Sequence, residues 1–332
     1  MSDIKNDGQR KAPPLLLASS PHIASPVNSA ALMRNMLIAL APVSVFGVVI
    51  FGLPALLNII VAVAAAVAGE ALFRLVIRQP LRVKDFSAGV SGLLLALVIP
   101  PSMPLWMTAL GSLFAVIVAK EFFGGLGANV FNPALIGRAF LLMSFPAAMT
   151  SWHHPQNGFA FALTDVTSGA TPLAASHSGV GFAGPYWQAV KELFFGYRSG
   201  CTGETSILLI LAAFFFLLFT KTIDWRAPLS MVIASFVAAF ALGLDPLFAV
   251  LSGGLIFGAV YMVTDYVTSP LTPGGKIIFG AGAGLISILI RKWGSYPEGV
   301  SYGILIMNCA VPFLNKILPR KYGFVPKKKE GK

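Results

Sequence analysis

Apolar residues run along this chain in long blocks rather than on one face of a repeating period. The blocks fall at roughly 35–53, 54–77, 87–101, 104–121, 129–147, 204–221, 227–244, 246–266, 275–291 and 299–318. Most approach the ~20 residues that a helix needs to cross a hydrocarbon core. The pattern predicts an all-α polytopic membrane protein with about ten transmembrane helices. The third block is short and ends in Ile99-Pro100-Pro101, and the fifth is interrupted near Asn129-Val130-Phe131-Asn132-Pro133. Broken helices at membrane depth are tolerated only where protein or a cavity satisfies the freed backbone groups.

Five blocks precede and five follow the longest connection, about 146–203. An odd number makes a duplicated unit insert in opposite orientations, so a 5+5 inverted repeat with broken helices is expected. Internal matches are weak. Ser91-Gly92-Leu93 pairs with Ser252-Gly253-Gly254, and Asn129 to Pro133 pairs with Asn308 to Pro312. The expected division is an N-terminal segment 1–34, a membrane half 35–147, a loop 148–203, a second half 204–318 and a basic tail 319–332.

Composition excludes a soluble domain. Hydrophobic residues make up 56% and charged residues only 11%, against about 25% charged in soluble proteins. The net charge of +11 does not mark a nucleic-acid footprint, because the basic residues are spread over helix ends and short loops. They orient the chain. Lys5, Arg10, Lys11 and Arg34, then Arg78, Arg82 and Lys84, Lys120, Lys221 and Arg226, Lys276, and the tail from Lys316 all fall on one side. That side is expected to be the cytoplasm, with both termini inside and residues 146–203 outside. Arg291 and Lys292 dissent. No cleavable signal peptide is expected in the polar, Pro-rich first 34 residues. Cys201 and Cys309 lie far apart, with no spacing that points to a metal or iron–sulfur site.

The outer loop carries Asp165-Val166-Thr167-Ser168-Gly169-Ala170-Thr171. This tract resembles the signal at which a flavin transferase attaches FMN, through a phosphoester, to the final Thr. Gly169 and Ala170 leave the Thr171 hydroxyl unshielded and let the backbone adapt to an external enzyme. A solvated turn uses the same residue types. Ser20-Pro21-His22, Gly124 to Ala134, and Gly137-Arg138-Ala139-Phe140 extend the resemblance. They are similar to the D subunit of the Rnf complex, an ion-translocating ferredoxin:NAD oxidoreductase. The related B subunit of the Na⁺-translocating NADH:quinone reductase shares the tract.

The resemblance implies a subunit that carries electrons through the membrane and has no complete active site of its own. It implies covalent FMN on Thr171 and a non-covalent riboflavin deeper in the bundle. Implied partners are other subunits of the complex, including a second FMN-bearing subunit, besides the flavin transferase and the lipid bilayer. The chain has no Rossmann fingerprint and no ferredoxin cysteine set, so NAD and iron–sulfur chemistry fall to partners. An inverted-repeat transporter and a structural anchor are the competing classes.

Glu70 and Asp265 are intramembrane carboxylates, which often mark an ion path. Pairing inside the bundle is the competing explanation, with Arg74 one turn from Glu70. Asp85 is placed to cap the third span. Asn129 and Asn132 either hold a flavin ring or patch a helix break. The Gly280-Ala281-Gly282-Ala283-Gly284 run predicts tight helix packing. His153 and His154 read as solvated, and Trp152, Tyr186 and Trp187 either pack on the flavin or, for most of them, form an aromatic belt.

Overall fold

A computed structural model describes residues 28–152, 173, 186–196, 198–294 and 298–317. The described residues are helical and contain no strand. Helix α1 (Ser29–Phe51) starts on Asn28, whose side chain accepts from the Ala31 amide. It begins several residues before the apolar block near 35, because a capping residue rather than hydropathy sets the start. Then follow α2 (Leu53–Val76), α3 (Ser87–Val98), α4 (Leu105–Ile117), α5 (Pro133–Ser144) and the short α6 (Pro146–Met149). The later part holds α7 (Tyr186–Phe195), α8 (Ile207–Phe219), α9 (Arg226–Ala241), α10 (Pro246–Leu251) and α11 (Leu255–Phe257). A π-helical turn, Gly258–Met262, continues α11. Helices α12 (Pro273–Trp293) and α13 (Val300–Ile317) complete it.

Among the described residues, four helical stretches are long and apolar enough to cross a membrane: Ser29–Phe51, Leu53–Val76, Leu105–Phe123 and Pro273–Trp293. Ser87–Val98, Pro133–Ser144, Ile207–Phe219 and Arg226–Ala241 are apolar but shorter. The breaks fall where Pro and Gly stand. Helix α3 stops before Pro100-Pro101, and Ser252-Gly253-Gly254 separates α10 from α11.

Packing follows the same order in both parts. Helix α2 packs on α3 and α4, and α4 on α5. Helix α9 packs on α10 and α12, and α12 on α13. The Gly280–Gly284 run makes the α9–α12 contact. A Cβ at Gly280 would strike the Ala227 carbonyl and Ser230, and one at Gly284 would strike Met231 and Ser235. Small residues let two backbones approach in this way.

Buried polar and charged groups are set within a large apolar core, and large apolar side chains face outward. Phe219, Phe240, Phe313 and Leu75 are exposed, while Asn58, Glu70, Arg74, Lys120, Arg138, Arg291 and Asn308 are buried. Lipid accepts the first set, and buried hydrogen bonds and ion pairs stabilise the second.

Candidate functional site

Two polar sites lie at different depths along the short helices. The first is a small, partly open cavity of about 40 Å³, lined among others by Met36, Ser87, Lys120, Asn129, Asn132, Tyr261, Asp265 and Tyr266. Helices α3 and α5 both begin here, and the π turn after α11 ends here. Asn132 caps α5, its Oδ1 accepting from the amides of Ala134 and Leu135 at 3.1 and 3.4 Å. Asn129 donates from Nδ2 to the Phe131 carbonyl at 3.1 Å. Its Oδ1 is buried and accepts nothing among the described residues. The two asparagines therefore divide the roles: Asn132 patches the break, and Asn129 keeps an acceptor free. The Tyr266 hydroxyl is also buried without a partner among the described residues. Gly124, Gly125 and Gly127 all take positive φ in the turn leading to Asn129.

Asp265 accepts from the Val267 amide at 3.2 Å and the Thr268 hydroxyl at 3.0 Å. That geometry stabilises the turn after the π segment and leaves the carboxylate half-buried at the cavity. Asp85 lies one position before the N-cap Phe86 and accepts from the Ser87 amide at 2.9 Å, holding the first residue of α3 from outside the helix. Asn308 ties the second part to the first. With its amide set as its neighbours require, it donates to the Thr268 carbonyl and accepts from the Asn132 amide, at 3.2 and 3.3 Å.

Glu70 stands one contact behind the cavity. The Lys120 ammonium lies 3.1 Å from its Oε2 and 2.6 Å from the Ser87 hydroxyl. Arg74 approaches Glu70 at 3.6 Å and Glu121 at 3.1 Å. The expected pairing with Arg74 is present, but Lys120 is the nearer partner. Lys120 and Glu121 escaped sequence reasoning because a Lys at the end of an apolar block looks like a topology charge. Lys120 is in fact 1% exposed. The structure thus gathers Asn129, Asn132 and Asp265 around one cavity, with Glu70 joined to it through Lys120.

The second site lies where α3 ends and the chain breaks between α10 and α11. Arg138 donates to the Val98 carbonyl at 2.8 Å and pairs with Glu298 and the Ser301 hydroxyl. Arg291 donates to the carbonyls of Ala249 and Ser252. Arg198 donates to the carbonyls of Leu251 and Glu204, at 3.0 and 2.7 Å. These arginines satisfy the orphan carbonyls of interrupted helices. Burial of Arg291 removes it from the loop charges and so explains its dissent from the orientation pattern. The Cys201 thiol and the Glu204 and Glu298 carboxylates lie within 4.8 Å of one another. Cys201 is therefore part of a polar cluster rather than an isolated thiol, while Cys309 is exposed. Asn132 and Arg138 are six positions apart at the start of α5, about 9 Å of helical rise. Only a thin layer separates the two sites.

Asp165, Ser168, Gly169, Ala170 and Thr171 lie outside the described residues, as do His153 and His154. Leu173, two positions after Thr171, is buried. Trp187 and Tyr186 are exposed and meet edge to face, with ring centroids 5.7 Å apart.

Interrupted helices around a charged interior, with an apolar exterior, define the class: an all-helical membrane protein with polar sites inside the bundle. The chain belongs to the NQR2, RnfD, RnfE family, whose model matches residues 16–323. It is 40% identical over 321 residues to the D subunit of the Na⁺-translocating ferredoxin:NAD⁺ oxidoreductase complex of Acetobacterium woodii, covering 96% of this chain and 98% of that one. It is 39% identical to the D subunit of the proton-translocating ferredoxin:NAD⁺ oxidoreductase complex of Clostridium ljungdahlii, over 92% and 96% of the two chains. The D subunit of an ion-translocating oxidoreductase complex of Stutzerimonas stutzeri is 39% identical, over 88% and 91%.

Proposed function

We propose that this chain is the membrane electron-transfer flavoprotein of a complex that couples ferredoxin:NAD redox chemistry to translocation of Na⁺ or protons. The family and the names of its relatives support that role. In this reading ten segments span a bacterial inner membrane as an inverted repeat, with both termini in the cytoplasm. A flavin transferase loads Thr171 with FMN on the outer side, where a second FMN-bearing subunit exchanges electrons with it.

The first cavity carries the reading, because its unpaired groups fit a second flavin, riboflavin. The ring edge of a flavin presents one N–H donor between two carbonyl acceptors. The free Asn129 Oδ1 is a buried acceptor suited to the donor. Lys120 has three N–H groups and uses two, on Glu70 and Ser87, so one remains for a ring carbonyl. Asn132 and Asn308 hold the helix break rigid beneath it. The bound flavin supplies one- and two-electron chemistry, and the protein supplies orientation and charge. Glu70 and Asp265 are the candidate ion-path carboxylates, and Glu70 touches the same lysine.

Two measurements test this. Protein from cells that contain the transferase should fluoresce in a denaturing gel, and Thr171→Ala should abolish that signal while the chain still inserts. Persistent fluorescence in the variant overturns the attachment. Acid extraction of intact complex should release a second flavin, and Asn129→Ala should reduce its recovery. Undiminished recovery means that the flavin sits elsewhere.

A further inference from the structure

The connection from α2 to α3, residues 77–86, presents charge and apolar surface together. Arg78, Arg82 and Lys84 are all exposed. None of the three joins an ion pair among the described residues. The one carboxylate in the connection, Asp85, accepts from the Ser87 amide and hydroxyl at 2.9 and 2.7 Å. Three cations close in sequence therefore stand without a paired anion.

The apolar residues of the connection are as telling. Leu81 is 56% exposed and Phe86 46%. Phe86 precedes the first residue of α3 with φ at 62°, a left-handed conformation, and its side chain makes no cap. Gly or Asn suits that backbone better, and Asn or Ser suits that cap. Local structure thus does not account for an exposed phenylalanine there. An apolar phase outside the protein does.

Buried contacts fix the connection in this pose. The buried Arg74 guanidinium donates to the Pro80 carbonyl at 3.2 Å and to Glu121 at 3.3 Å. It clamps the connection beside the turn Glu121–Phe123 that follows α4. That turn presents Phe122, 64% exposed, whose ring lies 5.4 Å from the Phe73 ring on α2. These apolar residues continue the outward stripe of α2, where Leu72, Leu75 and Val76 are exposed. Helix α2 has 24 residues and is apolar enough to span a membrane. An acidic protein matches the cations and leaves the apolar continuity unused. A lipid leaflet matches both.

We propose that the α2–α3 connection is a binding surface for anionic phospholipid. Arg78, Arg82 and Lys84 take headgroup phosphates through charge-assisted hydrogen bonds, and Leu81 and Phe86 enter the acyl region beneath them. Long basic side chains keep their charge at headgroup level while their stems lie on apolar surface. Arg74 also reaches Glu70, at 3.6 Å, so the bound lipid anchors the end of the bundle that carries the first cavity.

The test uses the full-length chain in phosphatidylcholine nanodiscs with a minor fraction of acyl-brominated lipid, either phosphatidylglycerol or phosphatidylcholine. Phe86→Trp supplies the reporter, read above the five native tryptophans of the wild type. Bromine in the acyl chains quenches only a nearby indole. Brominated phosphatidylglycerol should quench the reporter more strongly than brominated phosphatidylcholine. Adding Arg82→Gln and Lys84→Gln should weaken the apparent affinity for phosphatidylglycerol roughly fivefold per charge removed. Arg78 is kept as a topology charge. Added salt should reduce the preference. Equal quenching by the two lipids overturns the anionic preference. No quenching by either means that the connection faces water, as a docking face for a soluble partner would, and overturns the proposal. If Phe86→Trp fails to fold, native mass spectrometry of wild type and Arg82→Gln/Lys84→Gln decides. Lower retention of phosphatidylglycerol by the variant supports the surface, and equal retention overturns it.

Discussion

Lys120 joins the Glu70 carboxylate to the Ser87 hydroxyl at the wall of the first cavity, and Arg74 joins Glu70 to Glu121. Two cations and two carboxylates make the network neutral. Removing one member leaves a buried charge without its partner, which costs about 3–5 kcal/mol. Lys120→Met should therefore lower the thermal midpoint in detergent sharply, as should Glu70→Gln. The double variant Lys120→Met/Glu70→Gln should cost clearly less than the two effects added, because it removes charge in a balanced pair. Additive losses would mean that Lys120 and Glu70 do not interact. Glu70 and Arg74 were recognisable as a pair from their spacing of one helical turn. Lys120 and Glu121 were not, because burial is set by helices that only the fold brings around them.

At the scale of elements, the α9–α12 contact depends on glycine backbones meeting carbonyls. Gly280→Ala and Gly284→Ala should each cost about 1–3 kcal/mol through overpacking, read as a lower thermal midpoint. Gly89→Ala should be neutral or slightly stabilising, since a Cβ there meets nothing within 4 Å and Ala favours helix. Equal behaviour of the three variants would exclude the close approach. A second contact ties the α8–α9 turn to α12. Asp224 accepts from Arg226 and from Lys276, at 2.9 and 3.1 Å. Burial pushes its carboxyl up, but the Arg226 amide and the Lys276 ammonium outweigh burial and hold it below its ordinary value. The folded form therefore binds its proton more weakly than the unfolded form, whose pKa is about 3.9. Its stabilisation is complete above that value and is lost as pH falls through the lower folded value. The difference in thermal midpoint between wild type and Asp224→Asn should be small, constant from neutral pH down to about 5, and should vanish in stronger acid. A difference that grew on acidification would contradict the sign.

For the whole molecule, the orientation inferred from the basic residues has a direct test. A cysteine introduced at Ser178 should react with a membrane-impermeant maleimide in spheroplasts. Labelling only in inverted vesicles would reverse the topology. The buried position of Arg291 strengthens the expectation, because it leaves Lys292 as the single exposed dissenter in that connection. The two polar sites sit back to back across α5, and the short helices α3 and α11 end against them. Their separation along α5 is much smaller than the thickness of a bilayer.

Hydropathy by itself determined where most membrane-crossing helices lie, since lipid permits only segments whose backbone is satisfied internally, but it gave no sign of α7 inside the long connection. Pro100 and Pro133 marked two breaks, because Pro lacks a donor, whereas the break at Ser252–Gly254 falls inside a block that hydropathy reads as continuous. Asn129, Asn132 and Asp265 were recognisable as polar groups placed where apolar ones were expected. Tertiary structure alone decided what each polar group does. Asn132 caps a helix and Asn129 keeps an acceptor free, although the two stand three positions apart in one motif. Arg138, Arg198, Glu204, Arg291 and Glu298 come from segments far apart in sequence and meet in one cluster. No local pattern could announce that meeting, because a charge is distinguished as buried or exposed only by the neighbours that the fold supplies.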